Sequence, residues 1–268
     1  MTVHLVTVVG GHAPVLPHML AHYRSLGIES IFLNLHVSRE DDPAREEIES
    51  IARADGCGIA AVKAGDWQDV IQEMYLLPRE QYPDDWFVLA DQDELQAWPG
   101  PIPEILRGFG GYDYARGCFI DRIARDGGFP AVTAAPVQEQ FPLGCWLSAM
   151  VLGADPRKVV AARGRVPLKK GQHHAYAGRA VPVRECYVPV HHFKWTENTF
   201  ERLCDRAEKL QTGGFPQWIE SARFVEYYRA CGGRINVSDP GLRVAECEPE
   251  YPHWEELKKI VVRAPVIL

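Results

Sequence analysis

Between residues 3 and 90 the chain passes three times from a short apolar, β-rich run into a segment of helical spacing, then closes on a fourth apolar run, "WFVLA". "VHLVTVVGG" ends in Gly10-Gly11, and Val15, Leu16, Met19, Leu20, Tyr23 and Leu26 follow at helical spacing up to a Gly27 stop. "IESIFLNLHVS" alternates Ile31, Leu33, Leu35 and Val37, and Asp42-Pro43 opens a helix through Ile48 and Ile51 to about Gly56. A third strand, in "GIAAVKAGDW", leads to Asp66 as the cap of "WQDVIQEMYLL". A helix after each strand returns the chain across the sheet, so successive strands run parallel. The expectation is an α/β protein with a mostly parallel central sheet flanked by helices.

After residue 110 the pattern changes. "YDYARGCFIDRIARDGGFPAV" reads as two β segments about an Asp126-Gly127 turn and "CWLSAMVLG" as another strand, which predicts a smaller region of mixed pairing. "RKVVAARGRVPLKKGQHHAYAGR" reads as basic and loop-rich, with "GQHHAYAG" as a flexible loop that orders over a ligand and Lys169 and Lys170 supplying positive charge. Two helices follow, one capped by Thr196 and ending at Gly213, the other around Trp218 to Ala230. No disordered linker or internal repeat interrupts the chain. One domain is expected over 1–268, with residues 1–125 building the sheet and 126–268 covering it.

Composition narrows the function. At 268 residues and 46% apolar the chain supports a full core, and a formal charge of -7 offers no basic field for nucleic acid. Seven cysteines without a C-x-x-C pair argue against a disulfide framework or structural zinc and fit a reducing cytoplasm. The first apolar run lacks a basic leader, and the C-terminal "IVVRAPVIL" is too short to cross a bilayer, so no integral membrane segment is expected.

"WFVLA" runs straight into "DQDE", which holds Asp91, Asp93 and Glu94. If that run is a central parallel strand, the acidic residues lie at the carboxyl edge of the sheet, where open α/β sheets hold ligands. In an extended segment Asp91 and Asp93 would point the same way and repel each other unless a positive group lies near. A hard divalent cation that also grips phosphate oxygens is the simplest neutraliser, which makes the cluster half of a metal and diphosphate site. The competing reading has Asp91 and Glu94 as caps and Asp93 solvated.

"DQDE" after this strand resembles the Asp-x-Asp motif of GT-A glycosyltransferases. "VLPHMLAHYRSLGIESIFLNLHVS", "CFIDRIARDGGFP" and "HHFKWTENTF" are similar to segments of the family-2-like members. The resemblance implies a GT-A, Rossmann-like fold and transfer of a sugar, with inversion, from a nucleoside-diphosphate sugar to a hydroxyl-bearing small molecule or glycan. It further implies that Gly10, Gly11 and His12 border the nucleotide, that Asp66 meets the base or ribose, that Asp91 touches the ribose or a metal-bound water, and that Asp93 binds Mn²⁺ or Mg²⁺. His192 would complete the metal shell, with His191 as the alternative, and Lys194 would meet the diphosphate. An imidazole ligand favours manganese.

An inverting transfer also needs a carboxylate to take the acceptor's proton. Asp121 and Glu139 are the candidates, with Asp121 preferred because its segment is the one that resembles the family, and each has a bland alternative: Asp121 pairing with Arg122 or Arg125, and Glu139 a surface charge. A nucleotidyltransferase would use a similar sheet, but "VVGGHAPVLPH" carries no Lys or Arg for a basic phosphate loop. A noncatalytic sugar-nucleotide binder would leave "DQDE" without a purpose.

Overall fold

The computed structural model describes residues 1–263. It shows an α/β chain whose helices flank a central, mostly parallel sheet. In chain order the elements are β1 (Val3–Gly10), α1 (Leu16–Ser25), β2 (Ser30–Val37), α2 (Ala44–Asp55), β3 (Ile59–Ala64), α3 (Trp67–Gln81), β4 (Trp86–Leu89), β5 (Glu94–Gln96), α4 (Ile102–Gly108) and β6 (Tyr114–Ile123). They continue as α5 (Val137–Gln140), β7 (Leu143–Cys145), β8 (Arg157–Arg163), β9 (Val188–His192), α6 (Thr199–Thr212), α7 (Trp218–Ala230), β10 (Ala245–Glu246) and α8 (Trp254–Arg263). The last turn of α8 takes in the start of "IVVRAPVIL"; the rest of that run lies outside the described residues.

Two compact units form, each from two stretches: 1–118 with 157–190, and 119–156 with the described residues from 191 onward. In the first unit the strands stand in the order β3-β2-β1-β4-β8, followed by the first half of β6. β1 pairs in parallel with both β2 and β4, and β2 with β3, as the strand and helix alternation predicts. β8 then pairs antiparallel with β4 and with β6. Val6, Val8, Phe87 and Leu89 pack on Ile71, Met74 and Tyr75 of α3, while the alternate residues Leu5, Val9 and Val88 are buried on the opposite face. Strands covered on both faces read as continuous apolar runs, which is why β1 and β4 are legible in the sequence.

The second unit buries Ile123, Cys145, Leu147, Trp195, Leu203 and Phe224 together, with Phe129 stacked between the rings of Tyr228 and Trp195.

Four expectations for the later chain are corrected. "RKVVAARGRVPLKK" is not all loop: residues 157–163 are strand β8, whose apolar Val159 to Ala162 are buried. "GQHHAYAG" is pinned by a bridge between Leu168 and Ala175, by Lys169 N–H donating to His174 at 2.8 Å, and by Val159 N–H donating to Gln172 at 2.7 Å. The segment after Asp126-Gly127 does not fold back as a strand, because the Gly127 carbonyl accepts from Ile235 N–H at 2.8 Å. "CWLSAMVLG" is strand only to Cys145, and Ser148–Leu152 then forms a π-helical turn.

Candidate functional site

The chain leaves β1 toward β2 and β3 on one side and returns to β4 on the other, so the carboxyl ends of β1 and β4 meet at the point where strand order reverses. Such a switch point is where open α/β sheets present a crevice to ligands. β1 leads there into Gly11-His12, and β4 leads into Asp91-Gln92-Asp93.

Gln92 ties the two ends together. Its side-chain oxygen accepts from Gly10 N–H at 3.1 Å and its amide nitrogen donates to the His12 carbonyl at 3.3 Å. Gly10 is needed for close approach: a Cβ there would meet the ring and the carbonyl of His36 at 3.0 Å. Gly11 has φ +62°, a conformation that suits glycine. His36 Nε2 donates to the Gly65 carbonyl at 2.8 Å, and its ring stands edge-on to Trp67 with centroids 5.0 Å apart. Trp67, 38% exposed, begins α3 immediately after Asp66. Asp66 caps that helix, its carboxylate accepting from Gln68 N–H at 2.8 Å.

The acidic stretch is a β-turn rather than an extended segment, closed by Glu94 N–H donating to the Asp91 carbonyl at 3.1 Å. The alternation expected to aim Asp91 and Asp93 the same way therefore does not apply, since Gln92 and Asp93 occupy the turn's central positions. The positive group beside the cluster is Lys158 of β8. Its ammonium lies 3.0 Å from Asp91 Oδ2 and 2.7 Å from Glu94 Oε1. Tyr75 donates its hydroxyl to Asp91 Oδ1 at 2.5 Å, and Glu94 Oε2 accepts from Asp91 N–H at 3.0 Å. Burial works against ionisation of Asp91, but Lys158 and the Tyr75 hydroxyl outweigh it and hold the carboxyl at about 2. Burial likewise opposes the charge on Lys158, and the two carboxylates raise its pKa above the ordinary lysine value.

This donor set does not fit a divalent ion bridged by Asp91, because both carboxylate oxygens already face hydrogen-bond donors and its charge faces an ammonium. Among the described residues no group of three or more His, Cys, Asp or Glu side chains gathers in a way that would hold a metal. Of the residues expected to hold Mn²⁺ or Mg²⁺, Asp91 and Asp93 belong to the first unit and His192 to the second.

In the second unit, Asp121 and His192 are partners. His192 Nδ1 is 3.2 Å from Asp121 Oδ1, which also accepts from the Ser148 hydroxyl at 2.7 Å and the Trp195 indole at 3.0 Å. Oδ2 accepts from Ser148 N–H at 2.6 Å. Burial pushes the Asp121 carboxyl up, and the bonds from His192 and Ser148 bring it below the ordinary value. The His192 ring stacks on Phe119 at 4.8 Å, whereas His191 turns to Arg122 at 3.3 Å, as neighbours on a strand must. Lys194 holds its ammonium 5.2 Å from the Trp195 ring centre, and Glu139 is exposed on the short α5.

Gln92, Lys158 and Tyr75 are functional candidates that motif and spacing do not single out. A lone lysine opening the apolar run "KVVAA" is the available signal for Lys158; nothing in spacing marks Gln92 or Tyr75.

No protein-family model matches the chain, and no curated protein matches it. Among solved structures it is similar to S. aureus TarS, at 9% identity and TM-score 0.39 over 84% of this chain and 42% of that one. It is also similar to a putative glucose-1-phosphate thymidylyltransferase from Bacillus anthracis, at 12% identity and TM-score 0.31 over 48% of this chain and 58% of that one. A third is 4-diphosphocytidyl-2C-methyl-D-erythritol synthase, at 16% identity and TM-score 0.29 over 46% of this chain and 62% of that one. The chain spans 58% and 42% of the first two structures. Overlaps this partial decide neither a fold nor an activity.

Proposed function

We propose that the carboxyl edge of the parallel sheet binds the nucleotide of a nucleoside-diphosphate sugar, and that the protein transfers the sugar to a hydroxyl acceptor, a small molecule or a glycan. The observation that carries this reading is Gln92 bridging the loops after β1 and β4 at the switch point, with Gly11, whose missing side chain would face open space, between its two partners. The side-chain-free backbone of Gly11 lets a ligand come close to the strand end, and His36 and Trp67 offer aromatic surface along the same edge.

The reaction displaces a nucleoside diphosphate from the anomeric carbon while the acceptor hydroxyl loses its proton to a base. The carboxylates proposed for that role are Asp121, which accepts from Ser148 and Trp195 and lies beside His192, and Glu139, exposed on α5. Transfer is favoured over nucleotidyl transfer by the absence of Lys and Arg from "VVGGHAPVLPH", the segment after β1.

Calorimetric titration with UDP, GDP and dTDP, followed by a screen of sugar nucleotides for diphosphate release in the presence of acceptor hydroxyls, tests the reading. Selective binding of one nucleotide and acceptor-dependent release are expected. Pyrophosphate release from a nucleoside triphosphate and a sugar phosphate would instead mark a nucleotidyltransferase, and no binding of any nucleotide would remove the proposal.

A further inference from the structure

Lys158 sits at the start of an otherwise apolar strand, its side chain 1% exposed, and its ammonium lies between two carboxylates that belong to one turn. Each carboxylate is held from its other side as well, Asp91 by the Tyr75 hydroxyl and Glu94 by the Asp91 N–H. Tyr23 and Tyr75 fasten the backbone of the same stretch, donating to the carbonyls of Glu94 at 3.1 Å and Ala90 at 3.2 Å. An ammonium with three N–H groups bridging two carboxylates supplies the charge and the bridging contacts that a bound cation would supply. It is covalently part of the chain and so is present whether or not a ligand is bound.

We propose that Lys158 is the resident cation of the acidic turn, a positioning residue whose ammonium stands where a divalent ion bridging Asp91 would otherwise stand. The proposal deepens the nucleotide-binding reading and rests on it for the turn's purpose. Asp91 then meets a ligand as a hydrogen-bond acceptor of fixed geometry, and nucleotide binding at this edge needs no metal on Asp91. Removing the lysine leaves two neighbouring carboxylates without the ammonium between them, the chemistry that attracts a hard divalent ion.

The test is Mn²⁺ binding, followed by electron paramagnetic resonance without nucleotide, in the wild type, Asp91→Asn and Lys158→Ala. Wild type and Asp91→Asn should take up Mn²⁺ equally weakly, while Lys158→Ala should bind it at least about tenfold more tightly, a gain that loss of packing alone does not produce. Tight uptake by the wild type that Asp91→Asn abolishes would overturn the proposal, as would a folded Lys158→Ala variant that gains nothing. If Lys158→Ala does not fold, the comparison of wild type with Asp91→Asn decides. A parallel titration with UDP, GDP and dTDP in EDTA separates the two readings. Nucleotide affinity that depends on Mn²⁺ in the wild type, with the dependence lost in Asp91→Asn, overturns the resident cation. Failure of every nucleotide to bind, with the Mn²⁺ results as expected, removes only the nucleotide reading.

Discussion

His192 Nδ1 lies 3.2 Å from Asp121 Oδ1, so two residues to which sequence assigns separate duties form one hydrogen-bonded pair. Asp121 is 2% exposed and collects donors from Ser148 and Trp195 as well. A neutral Asn in its place accepts at one atom only and turns an NH₂ group toward existing donors. Asp121→Asn should therefore cost about 3 kcal/mol of folding stability, read by urea unfolding. It should also release the His192 ring, changing its ¹⁵N resonances. Unchanged stability would show that the pair carries no weight in the fold.

Gln92 holds Gly10 and His12 through two hydrogen bonds, each of ordinary length. Gln92→Ala should lower stability by only about 1 kcal/mol, since the alanine exposes no buried charge. If the loops after β1 and β4 make one site, the same change should weaken nucleotide affinity about tenfold by calorimetry, because each loop then drifts independently. Unchanged nucleotide affinity beside the lowered stability would point to a purely structural link.

Trp67 is partly exposed and braced by His36, which makes it a surface on which a flat ring can stack. Replacing it with alanine should leave the melting temperature nearly unchanged and weaken binding of the preferred nucleoside diphosphate about tenfold. Binding of inorganic pyrophosphate should not respond. A matching loss for pyrophosphate would place Trp67 outside any base contact.

The charge trio predicts an acid limit. Asp91 is held at about 2 against an ordinary 3.8, so its contribution is complete above the ordinary value and is lost as pH falls through about 2. Lys158 is shifted the other way, so its contribution is present below the ordinary lysine value and fades only in strong alkali. Thermal melts of the wild type should fall more steeply than those of Asp91→Asn between these acid values. Parallel curves would mean that Lys158 does not hold the ionised form of Asp91.

Much of the first unit is legible in the amino-acid sequence. β1, β2 and β4 and the helices between the first four strands follow from periodicity, because strands with buried apolar runs and helices covered on one face carry their burial in local sequence, and β3, which has no buried residue, still follows the alternation of strand and helix. Asp66 as a cap is legible for the same reason: its partner, Gln68 N–H, is two residues away. The second half is harder. β8 is masked by flanking basic residues, and Gly127 bonds to Ile235, a partner more than a hundred positions distant.

Sequence alone determined that an acidic stretch follows a buried parallel strand at the carboxyl edge of the sheet, because chain order and hydrophobic period are local properties. Tertiary structure decided what balances that charge. Lys158 lies 67 positions from Asp91 along the chain, and only the antiparallel pairing of β8 with β4 brings that stretch of chain back beside the acidic turn. Counter-charges are chosen by proximity in space, and composition records that a lysine exists without recording which carboxylate it meets.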